Sequence, residues 1–341
     1  MAVSGMSLIL DPHLHRPGIP GPYPALSGLC RWDCAWYERV GLEGYRQPEW
    51  TILFPLFPLL GRALSNVTPL SVLQSLYVIN YAASLMGVIV VYKIFLELEG
   101  EAVARTSLTF FVFWPFSFIQ AAPYPESIML LTTALAIFWS MRGRHIWAGT
   151  AVGLGTLARH LSLLAVLSLL VAQIRERGIH PRRFLLHPGV LGLAIPFAFL
   201  SLYCVYCLNR FHDPFAWWTM RTYWGGSIAW QGAWQWLTTA GWEPQIGFYV
   251  VFSLLVALGA VLLLTRKNWW ILAGFGLGLI LVVETVGLAA LGRYSAAAWP
   301  AFLPLGRWLS RHPSLELPVL CGFAVIQGMF VYLFTHSYPI N

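Results

Sequence analysis

Arg31-Trp32-Asp33-Cys34-Ala35-Trp36-Tyr37, then Gly44-Tyr45, then Phe54-Pro55-Leu56-Phe57-Pro58-Leu59-Leu60: on the reading of these residues the fold turns. Four acids, Asp33, Glu38, Glu43 and Glu49, stand here among five tryptophans and tyrosines. The proline-punctuated apolar run that follows cannot form a straight membrane helix. Acids and aromatics bordering apolar sequence fit an active site at a membrane surface. They fit equally an interfacial loop whose rings sit at headgroup level and whose carboxylates are simply solvated.

Outward from this stretch the chain is apolar almost throughout. Its 341 residues are 58% hydrophobic, 15% aromatic and only 10% charged, against about 25% charged in soluble domains. An all-α, polytopic integral membrane protein follows. Apolar segments at about residues 70–92, 106–121, 127–141, 146–158, 161–174, 186–208, 246–264, 269–288, 294–309 and 317–335 predict about ten membrane segments, all helical and some short or re-entrant. Segments 146–158 and 161–174 are too short to cross, and they meet at Arg159-His160 in an expected hairpin. Before residue 31 the longest apolar patch, Met6 to Leu10, is too short for a signal sequence, so no targeting segment or preceding membrane helix is expected. The whole of residues 1–341 reads as a single membrane domain, with residues 31–66 as a first external loop and 209–245 as a second, tryptophan-rich one.

The formal charge of +7 does not signal nucleic acid, because the 21 Lys and Arg are scattered between apolar segments. They report topology instead. With the Asp33 stretch outside, the connections Lys93 to Arg105, Arg142 to His145, Arg175 to Arg183, Arg266-Lys267 and Arg307 to Arg311 fall inside and hold 12 of the 21. The acidic stretch is therefore expected on the extracytoplasmic side, of a bacterial or archaeal plasma membrane or of an endoplasmic reticulum membrane. Cys204, Cys207 and Cys321 lie in apolar helices and read as packing residues, with no metal-ligand spacing. Cys30 and Cys34 flank Asp33, and an i,i+4 pair on a helix is poorly aimed for a disulfide.

On the expected outer side the polar residues form a short roll: Asp33 and Glu43, Pro123-Tyr124-Pro125-Glu126-Ser127, Arg159-His160, His212-Asp213, Glu284 and Arg293-Tyr294. One carboxylate with arginines at a lipid interface suits sugar transfer from a lipid phosphate. The carboxylate accepts the proton of an acceptor hydroxyl, and the anionic leaving group wants cations more than an acid. Several of these residues also have plainer readings. Glu126 can cap the helix after Pro125 or touch substrate; His160 can close the hairpin. Glu284 can pair within the bundle. The loop holding Trp217, Trp218, Trp224, Trp230, Trp234, Trp236 and Trp242 can be an interfacial belt or a platform on which a sugar stacks.

Trp32-Asp33 with Trp36-Tyr37, Gly44-Tyr45 and Phe54-Pro55-Leu56-Phe57-Pro58-Leu59 resembles the first-loop pattern of the GPI mannosyltransferase 2 (PIG-V-type) family. Pro123-Tyr124-Pro125-Glu126-Ser127 is similar to that family's P-Y-S-E-S segment with proline for serine, Ala158-Arg159 to its threonine-arginine turn, and Gly292-Arg293-Tyr294 to its G-R-Y. The resemblance implies a GT-C-type helical bundle that works on the lumenal or periplasmic side as an inverting glycosyltransferase, a mannosyltransferase in kind, using a polyprenyl-phosphate sugar such as dolichyl-phosphate mannose on a glycan or lipid-linked acceptor. By position it implies Asp33 as the catalytic base. Arg159, Arg293, Tyr294, Glu126, Tyr124, Trp32, Tyr37 and Glu43 are then the donor-phosphate and substrate-binding candidates, with no cofactor and no metal. Family members usually begin with a membrane helix ahead of the acidic loop, and this sequence shows none. A transporter of lipids or sugars, or an inactive partner subunit, are the competing expectations.

Overall fold

The computed structural model describes residues 28–178, 187–224, 244–283 and 291–336. Among them every regular element is a helix. In chain order the α-helices are α1 (Asp33–Glu43), α2 (Leu56–Val67), α3 (Val72–Glu99), α4 (Glu101–Val112), α5 (Glu126–Ser140), α6 (His145–Ala158), α7 (Val166–Arg177), α8 (Leu191–Phe211), α9 (Ala216–Thr219), α10 (Pro244–Leu262), α11 (Trp270–Val283), α12 (Leu291–Ala297), α13 (Phe302–Ser310) and α14 (Pro313–Thr335). Short 3-10 turns link several of them.

Four helical stretches are long and apolar enough to cross a membrane: Val72–Glu99, Pro188–Phe211, Gly247–Thr265 and Pro313–Thr335. Their outer faces expose Leu85, Leu202, Leu254, Leu317 and Val325, side chains that a lipid environment tolerates and water does not reward. This is the composition and surface of a membrane protein. The other apolar segments are shorter helices, Glu126–Ser140 and Lys267–Val282 among them. Prolines and turns break the rest. The expectation that no membrane helix precedes Asp33 falls on residues outside those described.

The longest helix shows how its ends are set. Ser71 caps α3 by accepting from the Gln74 amide at 3.2 Å, while the Gln74 side chain accepts from the Ser71 amide at 2.8 Å. Gly100, at φ 79°, turns the chain directly into α4. Its 28 residues reach about 42 Å, well past the roughly 30 Å of a bilayer core.

The basic connections gather at one end of the bundle. Glu97 accepts from Arg142 at 2.7 Å, and Glu176 meets His145 at 2.6 Å across the base of the α6–α7 hairpin. Buried Glu99 takes Arg307, Arg266 at 3.1 Å and the Trp269 indole at 2.9 Å. Asn80 marks the opposite level on α3, where its side chain bonds Ser127 and donates to the Gln120 carbonyl at 2.9 Å. Seventeen residues of helix, about 25 Å, separate Asn80 from Glu97. The Glu97 level thus holds the paired basic connections, and the Asn80 level holds neutral polar side chains bonded across helices.

Small residues let the helices close up. A Cβ added at Gly149 of α6 would lie 2.1 Å from the Gly192 carbonyl oxygen of α8, and one at Gly192 would lie 2.2 Å from the His145 carbonyl oxygen. Gly149→Ala is therefore expected to cost about 1–3 kcal/mol through overpacking. Thermal unfolding of the purified protein in detergent reads this out, and a variant as stable as its parent would mean that the two helices separate freely.

Candidate active site

Asp33 is placed by a local reversal of the chain. Trp32 sits at φ 50°, a left-handed conformation uncommon for a bulky residue, and helix α1 begins immediately after it. Because the chain turns there, Cys30 lies outside the helix and beside Cys34. The two form a disulfide with Cα atoms 5.1 Å apart. This corrects the sequence expectation: the i,i+4 argument assumed both cysteines on one helix, and only Cys34 is. The Cys34 amide also donates to the Arg31 carbonyl at 3.1 Å, and the Tyr124 hydroxyl donates to that same carbonyl at 2.7 Å.

Arg293 comes from α12, a seven-residue helix wedged into the bundle. Gly292 is required there because the Phe116 ring packs against it; a Cβ would lie 2.2 Å from that ring. Ser295 of the same helix accepts from the Trp114 indole at 2.8 Å. Arg159 comes from the opposite side. Helix α6 stops at Ala158, Arg159 takes an extended conformation, and a 3-10 turn over His160–Ala165 starts the return leg of the predicted hairpin.

Between these arms the charges form one chain. Arg293 donates to Asp33 Oδ2 at 2.8 Å through Nη1 and to Glu126 Oε1 through Nε. Arg159 donates to the same Glu126 oxygen through Nη1 and to the Tyr294 hydroxyl at 3.3 Å through Nη2. Aromatic rings support both guanidinium groups, Tyr124 under Arg293 at 4.6 Å and Tyr294 under Arg159 at 5.3 Å. Glu126 is almost fully buried, whereas the Asp33 side chain keeps 39% of its surface exposed. Glu126 thus serves neither as a simple helix cap nor as an open ligand group. It is the buried counter-ion that holds both arginines, and it gives Arg159 the acidic neighbour that the flanking sequence lacks.

Asp33, Tyr37, Arg159, Arg293 and Tyr294 open onto a cleft of about 260 Å³, whose remaining wall includes Leu53, Phe54, His160 and Arg221. Burial pushes the Tyr37 phenol well above its ordinary range, against the opposing pull of Arg159, so it stays protonated. Burial also pushes the His160 imidazole down to about 3, helped by Arg159 and Arg221. Its neutral ring packs between Phe54 at 5.4 Å and Trp217 at 5.8 Å. A larger cavity of about 620 Å³ lies between α3, α4 and α14, but only neutral residues such as Tyr81, Gln120 and Gln327 line it. Charge chemistry belongs to the smaller one.

Not every expected residue arrives. Glu43 sits ten residues along from Asp33, pairing with Arg39 at 3.3 Å and Arg46 at 3.2 Å, and does not line the cleft. One helix cannot carry both ends to the same spot. Trp32 packs against the main core instead of facing the cleft. Asp213 ties the chain just before α9 to that helix, accepting from the Phe215 amide and the Thr219 hydroxyl, both at 2.8 Å. Trp217 is in contact with the cleft wall through Phe54 at 5.5 Å. Glu284, Trp230, Trp234, Trp236 and Trp242 lie outside the described residues.

Arg221 was not among the expected residues. A signal did exist: it is the one Lys or Arg between Arg210 and Arg266. Among the described residues, no group of three or more His, Cys, Asp and Glu side chains could hold a metal ion.

No protein-family model, no curated protein and no solved structure matches this chain. The motif resemblance and the geometry of the cleft stand as the grounds for a functional reading.

Proposed function

We propose that this protein is an inverting membrane glycosyltransferase of GT-C type, with about ten membrane segments, that moves a sugar, mannose in the first instance, from a polyprenyl phosphate to a hydroxyl of a glycan or glycolipid. The observation that carries this reading is Asp33, a carboxylate left open at the mouth of the cleft while Arg293 fixes one of its oxygens at 2.8 Å. In the proposed step the acceptor oxygen attacks the anomeric carbon and its proton passes to Asp33. The bond from that carbon to the phosphate oxygen breaks, and the lipid phosphate leaves with the electron pair. A single displacement inverts the anomeric centre. Incubating the purified protein with radiolabelled polyprenyl-phosphate mannose or glucose and a membrane lipid extract tests this. A labelled glycolipid or glycan is expected, and its absence with every donor and acceptor fraction counts against the reading.

The cleft end is proposed to face away from the cytoplasm, since the opposite end gathers the basic connections. A cysteine replacing Glu43 should then react with a membrane-impermeant maleimide in intact cells. One replacing Arg177 should react only after permeabilisation. The reverse pattern would move the cleft to the cytoplasmic side.

A further inference from the structure

Three arginines line the cleft, and two of them are already engaged. Arg159 and Arg293 hold Glu126 and Asp33, so the four groups together carry no net charge. Each guanidinium engages two of its three nitrogens with these partners and Tyr294, and the third, Arg159 Nε or Arg293 Nη2, is buried with no partner among the described residues. An anion arriving there meets a neutralised pair of cations and a neutral His160. Arg221 differs. Among the described residues it has no carboxylate partner, and its guanidinium lies on the Trp218 ring at 4.8 Å. Stacking occupies the face of the guanidinium and leaves its edge, with the N–H fork that matches phosphate oxygens, free.

We propose that Arg221 is the anion-binding group of the cleft and takes the phosphate of a lipid-linked phosphate ester, with the Asp33–Arg293–Glu126–Arg159 chain serving to position Asp33. Asp213, by accepting from the Phe215 amide and the Thr219 hydroxyl, ties down the turn that leads to Trp218 and Arg221. The choice of a lipid-linked phosphate rests on the transferase reading. A guanidinium fork would also accept inorganic phosphate, and the two sources are separable by experiment.

The test uses the full chain in lipid nanodiscs and measures binding of a short-chain polyprenyl monophosphate, the corresponding polyprenol and inorganic phosphate. For Arg221→Ala the monophosphate affinity is expected to fall about 10- to 100-fold, the loss of a charge-assisted bond pair. Polyprenol binding should not change. Arg221→Lys should fall between, since it keeps charge without the fork. Arg221 is only partly buried and pairs with no carboxylate among the described residues, so both variants should unfold at the parent's temperature. Monophosphate binding by Arg221→Ala within twofold of the parent overturns the proposal, as does an equal loss of polyprenol binding. Inorganic phosphate binding as tightly as the lipid monophosphate would place a free phosphate, and no lipid, at Arg221, and so overturns the lipid assignment. Because binding is measured apart from the radiolabelled transfer assay, the two readings fail separately. Binding that depends on Arg221 without any glycosylated product sinks the transferase reading alone; product formation with Arg221→Ala binding normally sinks the anion site alone.

Discussion

Asp33→Asn is expected to lower turnover about 10²- to 10⁴-fold, the usual worth of a general base, with donor affinity within a few-fold of the parent. Asparagine keeps the size and an oxygen that can still accept from Arg293, but it cannot take a proton. The fold should tolerate the change. Asp33 is substantially exposed, and Arg293 retains Glu126 as a counter-ion, so the lost pair costs below about 1 kcal/mol. Arg293→Lys supplies a second reading of the same geometry. A lysine is a point charge on one stem and cannot reach both Asp33 and Glu126 as the planar fork does, so Asp33 should lose its fixed orientation and turnover should fall while the base itself survives. Steady-state rates and donor affinities for both variants separate the two roles. An Asp33→Asn protein turning over within a few-fold of its parent would remove Asp33 as base. Glu43 could not inherit the role, because the length of α1 holds it away from the cleft.

The sequence exposed most of this site because its residues carry unusual costs. A charged side chain between apolar segments needs a reason, which singled out Arg159, while Glu126 and Arg293 stood out by their place among the outer-side polar residues and by the motifs around them. Their convergence is what the structure adds. The proline and arginine that interrupt apolar segments mark the turns at Pro125 and Arg159, so these breaks were legible too. Pairing was not. That one Glu126 oxygen serves two arginines 33 and 167 residues away depends on how α5, α6 and α12 pack, and local sequence carries no trace of it. The disulfide was missed for a different reason, since the left-handed Trp32 that breaks the assumed helix is a conformation a tryptophan seldom announces. Glu43 erred in the opposite direction: nearness in sequence to Asp33 suggested a shared site, and a regular helix carried it off.

Glu126→Gln is expected to destabilise the fold by about 3–5 kcal/mol, more than any other single change in the site. The carboxylate is nearly inaccessible, and its Oε1 is the meeting point of Arg159 and Arg293, both mostly buried. Glutamine fills the space but removes the charge, leaving one guanidinium with only Asp33 and the other with only a tyrosine hydroxyl. Stranding a buried cation is what makes breaking such a pair costly; the pair itself contributes less, because both ions gave up water to form it. The double substitution Glu126→Gln with Arg159→Gln should therefore recover much of the loss, since it removes one charge of each sign and leaves Arg293 with Asp33. Thermal unfolding in detergent, followed by tryptophan fluorescence, supplies the comparison for parent, both single variants and the double. The coupling energy from that cycle isolates the Glu126–Arg159 term. Additive losses in the double variant would mean that the two side chains do not depend on each other, and a Glu126→Gln protein as stable as its parent would show that water, and not Glu126, compensates the arginines.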